Sequence, residues 1–291
     1  MRPNFPSILL ITLSLNLSAQ PSITGLVTDS LNKPIPFASV YLSKTTIGTL
    51  TNELGHYSLT IPQNGVYELT SSCVGFKSKS VIISVKGISQ NINIKLSVKL
   101  VNLEEVTIKS KAKIRVRNLT YFEKLFLGES VNAQNCRILN RGDIHLYRDP
   151  ETGILNGYSI KPVQIENRSL GYTIIYDLTD FVFDSRTEFL RFSGNLYFQP
   201  IKGNSRSNKK WTKNRLIAYY GSRLHFLRAL FSDSLNLNNF KISACKLNPV
   251  TNECLELNPL LENTILISHN SNFTSLYYHD PVLVRYTNDH P

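Results

Sequence analysis

The sequence GTLTNELGHYSLTIP at residues 48–62 predicts a β-hairpin. From Tyr57 to Ile61 the side chains alternate between apolar and polar, as in a half-buried strand, and Pro62 ends the run. Gly48 and Gly55 mark the turns on either side of the connection. Gly55 suits a turn position with positive φ, which glycine adopts without steric cost.

Similar strand patterns lie on both sides of this hairpin. They occupy residues 23–27, 37–42, 66–70, 81–85 and 92–96, and turn-forming residues separate them. About seven short strands at this spacing are typical of a β-sandwich. We therefore predict one sandwich domain over residues 21–97.

Three pieces of this segment resemble the carboxypeptidase-regulatory-like, or transthyretin-like, domain. They are Ile23-x-Gly25-x-Val27-x-Asp29 with its continuation over 33–40, the stretch 48–59, and Ser72-Cys73-Val74-Gly75-Phe76. The family usually has Asp where this chain has Asn52. The resemblance implies a seven-stranded transthyretin-like sandwich that accompanies other domains and does not itself catalyse.

Residues 98–117 are predicted to form a basic connector that includes one more strand at 103–108. Its later basic residues alternate with smaller or apolar ones, which would place the charges on one side of an extended segment. They are Lys109, Lys111, Lys113, Arg115 and Arg117. A solvated linker and a contact with an anionic surface both remain open.

Residues 118–291 are predicted to form a β-rich α+β domain. We expect helices at 118–127 and 222–235, the second capped by Ser222 with an apolar face of Leu224, Leu227, Leu230 and Phe231, and a basic loop at 202–214. We expect strands at 137–139, 144–147, 162–165, 172–178, 181–183 and 189–198. This region resembles the C-terminal part of exported bacterial proteins that carry the same regulatory domain, a resemblance that implies no activity.

The first 20 residues have the layout of a signal peptide. Arg2 precedes an apolar run from Ile8 to Leu17, and Ser18-Ala19-Gln20 offers a cleavage site. We expect an exported protein in the periplasm or at the outer-membrane surface of a Gram-negative bacterium. No later segment has about 18 consecutive apolar residues, so the mature chain should have no transmembrane helix.

The formal net charge of +11 favours acidic partners. Because export removes the chain from the cytoplasm, we expect no nucleic-acid partner. An envelope protein, a glycan and an anionic membrane surface remain as candidate partners.

The sequence lacks the spacing of known catalytic and metal motifs. No His is followed by Glu three residues later, which excludes the zinc pair of a metallocarboxypeptidase, and neither HExxH nor Gly-x-Ser-x-Gly occurs. Asp177, Asp180 and Asp184 are interpreted as turn residues, with a calcium or sugar site as the alternative. We therefore predict no catalytic residue, no cofactor site and no metal site.

Two clusters form a candidate ligand or partner surface. The first, in the predicted basic loop, suits a glycan or lipid because aromatic rings stack on sugars and lie at interfaces. The second, on the predicted helix, suits an anion, with an ordinary helix surface or a buried Tyr partner for His225 as the alternative. The residues are Lys209, Lys210, Trp211, Lys213 and Arg215, then Arg223, His225 and Arg228.

Cys245 and Cys254 flank a turn-rich stretch and could be joined as a disulfide in an oxidising compartment. Cys73 and Cys136 are predicted to be buried small apolar residues.

The sequence thus predicts a non-catalytic envelope protein that acts as a binding or structural module. An enzyme with an unrecognised hydrolytic site in residues 118–291 is one alternative. An accessory partner of a TonB-dependent outer-membrane transporter is the other.

Overall fold

The computed structural model describes residues 20–99, 112–248, 254–259, 266–269, 274–277 and 282–287. Residues 1–19 of the predicted signal peptide, the strand at 103–108, Lys109 and Lys111 lie outside the described residues. Within these ranges the chain is mainly β, with an N-terminal sandwich, a central sheet and a smaller C-terminal sheet. No helix in the described part of the chain is long and apolar enough to cross a bilayer.

The N-terminal sandwich is built from two four-stranded sheets. One has the order β4-β1-β8, with β9 also paired to β1, and the other has the order β3-β2-β5-β7, while β6 pairs with β10. The strands are β1 Ser22–Thr28, β2 Ser39–Leu42, β3 Gly48–Leu50, β4 His56–Thr60, β5 Gly65–Ser72, β6 Phe76–Lys77, β7 Lys79–Val85, β8 Gln90–Asn91, β9 Ile94–Lys95 and β10 Ser97–Val98.

Alternation along the strands fills the space between the two sheets. Ile23 and Val27 of β1, Leu59 of β4 and Leu69 of β5 are almost fully buried in one cluster, while the residues between them face outward. The predicted β-sandwich is therefore confirmed.

The predicted hairpin at 48–62 was wrong, because β3 pairs with β2 and β4 pairs with β1, in the two different sheets of the sandwich. The turn that connects β3 and β4 nevertheless forms as its residues require. Gly55 has a φ of 76°, and a Cβ there would lie 2.8 Å from the Val27 carbonyl oxygen. The side-chain oxygen of Asn52 accepts hydrogen bonds from the backbone N–H groups of Leu54 and His56. An amide oxygen thus supplies the acceptor that the family's Asp would provide.

Ionisation of Tyr57 is expected to lower stability at alkaline pH. Its hydroxyl donates a 2.7 Å hydrogen bond to the Ile92 carbonyl oxygen, and burial raises the pKa of Tyr57 to about 12. An unfolded chain ionises near pH ~10 while the folded chain stays protonated, so the free energy of unfolding falls as pH rises above about 10. Urea denaturation across that range should show a shallower fall for Tyr57→Phe, and an unchanged slope would contradict the expectation.

The central sheet is organised around one long strand. β15 pairs along its whole length with β16, and its other edge pairs first with β14 and then with β13. A bulge between Leu178 and Asp180 shifts the register where the partner changes. The strands are β11 Cys136–Ile138, β12 Ile144–Arg148, β13 Leu155–Ser159, β14 Val163–Asn167, β15 Tyr172–Asp184 and β16 Phe189–Pro200.

Helix α1, Ala112–Leu127, covers one face of this sheet. Phe122 is fully buried and contacts Phe126 and Phe181, with ring centroids 4.9 and 4.8 Å away. The helix begins six residues earlier than predicted, so Arg115 and Arg117 lie on it and not on an extended segment. Arg115 lies two helical turns before Phe122 on α1. Its guanidinium donates a hydrogen bond to the Gly142 carbonyl oxygen.

The C-terminal part contains two helices and short strands. They are α2 Ser205–Tyr219, α3 Arg223–Phe231, β17 Phe240–Leu247, β18 Cys254–Pro259, β19 Leu266–His269, β20 Thr274–Tyr277 and β21 Val282–Tyr286. The strand order is β18-β17-β21, and β19 pairs with β20. Ala229 and Leu230 of α3 pack against Leu235, Phe240 and Ile242.

Two predictions for this part were wrong. The expected loop at 202–214 is mostly helix α2, which Asn204 caps by accepting a hydrogen bond from the Ser207 N–H. The expected helix at 222–235 ends at Phe231, although Ser222 does cap it as predicted. Helix α2 is polar along most of its length, so it lacks the apolar periodicity that would have identified it.

The sandwich contacts β16 directly. The Lys44 N–H donates to the Leu196 carbonyl oxygen, and the Phe198 N–H donates to the Thr45 carbonyl oxygen, both at 2.8 Å. The Tyr41 and Tyr197 rings stack with centroids 4.4 Å apart, and burial raises the pKa of both phenols. Backbone pairing thus extends from the central sheet to the β2–β3 turn.

The four cysteines differ in state. Cys245 and Cys254 are joined in a disulfide, with Cα atoms 5.6 Å apart, at the end of the paired strands β17 and β18. Cys73 and Cys136 are free and only partly buried. Desolvation raises the pKa of both thiols, which keeps them protonated at neutral pH.

Candidate functional site

Trp211 anchors helix α2 to the turn that follows β14. A Cβ added to Gly171 would lie 2.2 Å from the indole ring, and one added to Gly203 would lie 2.4 Å from it. The indole Nε1 donates a 3.0 Å hydrogen bond to the Arg168 carbonyl oxygen. The ring therefore lies in close contact with backbone that only glycine allows, and not on the loop expected from the sequence.

Arg215 is also engaged with this turn. Its guanidinium donates to the carbonyl oxygens of Leu170 and Gly171, at 2.7 and 3.3 Å, and lies 3.9 Å above the Tyr172 ring. Asn214 donates to the Ser169 carbonyl oxygen at 2.7 Å. One face of α2 is thus fixed to the central sheet, and Arg215 belongs to that fixed face.

The opposite side of α2 carries the basic face, which we define as Arg206, Lys209, Lys210 and Lys213. All four side chains are exposed, and none forms an ion pair with any residue that the structure describes. Residues 189–232 contain nine Lys and Arg and no Asp or Glu. The positive potential of the basic face is therefore not neutralised by its neighbours in sequence.

His225 holds the junction of α2 and α3 and is 3% exposed. Its Nδ1 accepts a hydrogen bond from the Gly221 N–H at 3.1 Å, so Nε2 carries the proton and donates to the Asn238 Oδ1 at 3.0 Å. The rings of Tyr219 and Phe240 lie 4.8 and 4.9 Å from it. These contacts match the buried alternative for His225 and place its ring away from an approaching ligand.

Arg223 and Arg228 remain exposed on α3. The guanidinium of Arg228 lies 5.5 Å above the Tyr219 ring. The structure therefore brings the two predicted clusters onto adjacent helices, with Trp211, Arg215 and His225 as anchors and the other five residues turned outward.

Helix α3 also exposes most of the apolar face that the sequence predicted for it. We define the apolar stripe as Leu224, Leu227 and Phe231, which are 52%, 43% and 58% exposed, whereas Leu230 is buried. Leu216 and Ile217 at the end of α2 are exposed as well. The helical spacing of the apolar residues was predicted correctly, but this spacing could not show which of them pack against the rest of the protein.

A cavity of about 380 Å³ opens between α1 and strands β14 to β16. Its walls are largely apolar, with Phe126, Ile174, Tyr176 and Phe192 among them. Cys136 also lines it, and its thiol donates a 3.4 Å hydrogen bond to the Asn132 carbonyl oxygen. The lining contains no His, Asp, Glu, Lys or Arg, so it offers no general acid–base pair.

Two of the three aspartates of β15 interact with arginine side chains. Asp180 pairs with Arg191 at 3.0 Å, and Asp184 accepts hydrogen bonds from Arg186 at the hairpin turn, which lower the pKa of Asp184. Asp177 and Asp180 lie within the strand, so the turn interpretation was wrong for both of them. Among the described residues, no group of three or more His, Cys, Asp or Glu could hold a metal ion.

Comparison with known proteins identifies the N-terminal sandwich. Residues 23–108 match the family model of the CarboxypepD_reg-like domain. This domain is a non-catalytic module, which agrees with a binding or structural role for this part of the chain. No curated protein sequence matches the chain.

Similarity to solved structures is low. A type II cohesin–X-dockerin complex from Acetivibrio cellulolyticus aligns with 27% of this chain and 58% of its own, at 15% identity and a TM-score of 0.24. The Bacillus anthracis TIE protein aligns with 64% and 32%, at 9% identity and 0.23. A 9R-lipoxygenase from Cyanothece PCC8801 aligns with 84% and 52%, at 11% identity and 0.22.

Proposed function

We propose that this chain is a non-catalytic protein of the bacterial cell envelope that binds an anionic partner through the basic face. The observation that carries the proposal is the set of four exposed cations on α2 without ion-pair partners among the described residues. Because Trp211 and Arg215 fix the other side of the helix, the cations are presented on a rigid element. A preorganised charged surface binds at a lower entropic cost than a mobile loop.

Export supports the same proposal. The signal-peptide pattern of residues 1–20 directs the chain to the periplasm or the outer-membrane surface. An oxidising compartment also suits the Cys245–Cys254 disulfide. The division into a sandwich at 21–97, a connector at 98–117 and a C-terminal region at 118–291 is part of this proposal.

Charge reversal on the basic face is expected to weaken binding to a polyanion. We define the α2 triple variant as Lys209→Glu, Lys210→Glu and Lys213→Glu. On immobilised heparin, it should elute at a clearly lower salt concentration than the wild type, because each reversal replaces attraction to the polyanion by repulsion. The salt concentration at elution is the measured quantity.

The matched control changes the same charge at a distant place. We define the sandwich triple variant as Lys33→Glu, Lys77→Glu and Lys86→Glu, three exposed lysines of the N-terminal sandwich. It should elute close to the wild type. Equal elution of the two triple variants would mean that net charge alone governs binding and would refute a specific role of the basic face.

A further inference from the structure

We infer that the anionic partner is a lipid surface, on which α2 and α3 dock side by side. The inference rests on the proposed function, since it names the partner of the same basic face. It adds a second contact, the apolar stripe, which a partner bound by charge alone would not need.

The apolar stripe forms a single face of α3. Leu224, Leu227 and Phe231 follow one another at i, i+3 and i+7, which places them on one side of the helix. Ala229 and Leu230 face the protein instead and are 3% and 5% exposed. Helix α3 therefore has one apolar side buried in the protein and another on which Leu224 and Leu227 are exposed.

Cations stand next to this stripe. Arg223 and Arg228 are exposed on α3, and the basic face lies on the preceding helix, beyond the exposed Leu216 and Ile217. Helices that lie in a bilayer interface combine these two features, apolar side chains among the acyl chains and Lys or Arg at the anionic headgroups. Residues 189–232 contain no acidic residue, and the exposed Asp233 follows just beyond the C-terminal end of α3.

The chemistry of the surface favours lipid over protein. Lys is depleted in protein–protein interfaces, whereas it is favoured where a helix meets anionic headgroups. The basic face is rich in Lys, and the apolar residues beside it are mostly aliphatic and lie on outward helix surfaces. A fluid bilayer accommodates such side chains without a complementary pocket.

Co-sedimentation of the full chain with lipid vesicles tests the inference. Wild-type protein should bind vesicles of phosphatidylglycerol and phosphatidylethanolamine and should not bind phosphatidylcholine vesicles. The α2 triple variant should bind the anionic vesicles at least ~100-fold more weakly, since each basic residue near an anionic surface contributes several-fold to affinity.

A second variant tests the apolar contact separately from charge. Leu224→Gln with Leu227→Gln keeps the charge and the helix propensity of α3. It should bind anionic vesicles at least ~10-fold more weakly, because two leucines no longer enter the acyl region, yet elute from heparin with the wild type. Leu31→Gln with Leu54→Gln, two exposed leucines of the sandwich, is the matched control and should bind vesicles as the wild type does.

The outcomes separate the two proposals. Heparin binding that depends on the basic face, without vesicle binding, would overturn the lipid inference and leave a glycan or a protein as the anionic partner. Vesicle binding that is unaffected by Leu224→Gln with Leu227→Gln would overturn the docking of α3. A wild-type protein that binds neither heparin nor anionic vesicles would refute the proposed function as well.

Discussion

Replacing Phe122 with alanine is expected to destabilise the central sheet by about 3–5 kcal/mol. Phe122 is fully buried beneath α1 and contacts Phe126 and Phe181 within 5 Å between ring centroids. Truncation would remove its buried apolar surface and leave a cavity between the helix and β15. The surrounding rings belong to paired strands and a helix, so they can fill that space only partly.

Trp211 provides the measurement. It is the only tryptophan of the chain and contacts the backbone next to β14 and β15, so its fluorescence reports on the central sheet during urea denaturation. Val116→Ala is the matched control, because Val116 lies on the same helix and is 63% exposed. A shift for Phe122→Ala no larger than that for Val116→Ala would show that α1 does not stabilise the sheet.

The sandwich could be predicted from the sequence because its signals are local. In the stretch 48–62, apolar and polar residues alternate from Tyr57 to Ile61, and Gly55 and Pro62 mark the ends of that strand. In the central sheet, β13 was missed because the residues that it buries after Leu155 are Gly157 and Ser159. Small buried residues give no hydrophobic periodicity, although the strand pairs on both sides.

The candidate site was predicted in part. The basic residues were identified from composition, but their division into outward and anchoring groups depends on contacts distant in sequence. Arg215 reaches carbonyl oxygens about 45 residues earlier in the chain, and Trp211 meets glycines on both sides of a long hairpin. The sequence offers one usable signal, since Gly171 and Gly203 bracket that hairpin and a lone tryptophan follows.

The apolar stripe shows a different limit of sequence reasoning. Periodicity predicts that α3 has an apolar side, and the core was the natural place for it. In the structure the buried side is the narrower one, with Ala229 and Leu230, while Leu224 and Leu227 remain outside. Which apolar side faces outward depends on how α3 packs in the folded chain. The exposed apolar stripe could therefore be identified only from the structure.

Gly171→Ala is the second change with a large expected effect, a loss of about 2–5 kcal/mol of stability around α2. Gly171 has a φ of 69°, a conformation that costs an L-residue roughly 1–2 kcal/mol. In addition, the new Cβ would lie 2.2 Å from the Trp211 ring, and relieving that overlap costs a further ~1–3 kcal/mol. The indole must move, so α2 should loosen and the Trp211 emission should shift to the red.

Gly153→Ala separates the two contributions. Gly153 has a φ of 74°, and a Cβ there meets no atom within 4 Å, so this variant carries the backbone cost without the steric one. It should lose only about 1–2 kcal/mol and keep the wild-type emission. Equal losses and equal spectra for the two variants would show that the indole does not press on Gly171 in solution.

Removing the indole completes the test. In a Trp211→Ala background, the cost of Gly171→Ala, measured by circular dichroism, should fall towards that of Gly153→Ala, because the three atoms nearest to the added Cβ all belong to the indole. The same anchor links stability to function, since a loosened α2 no longer holds the basic face on a rigid helix. Gly171→Ala should therefore also weaken binding to anionic vesicles while every lysine and arginine remains in place, and Gly153→Ala should not. Unchanged vesicle binding in Gly171→Ala would mean that the cations act without the rigid presentation that Trp211 provides.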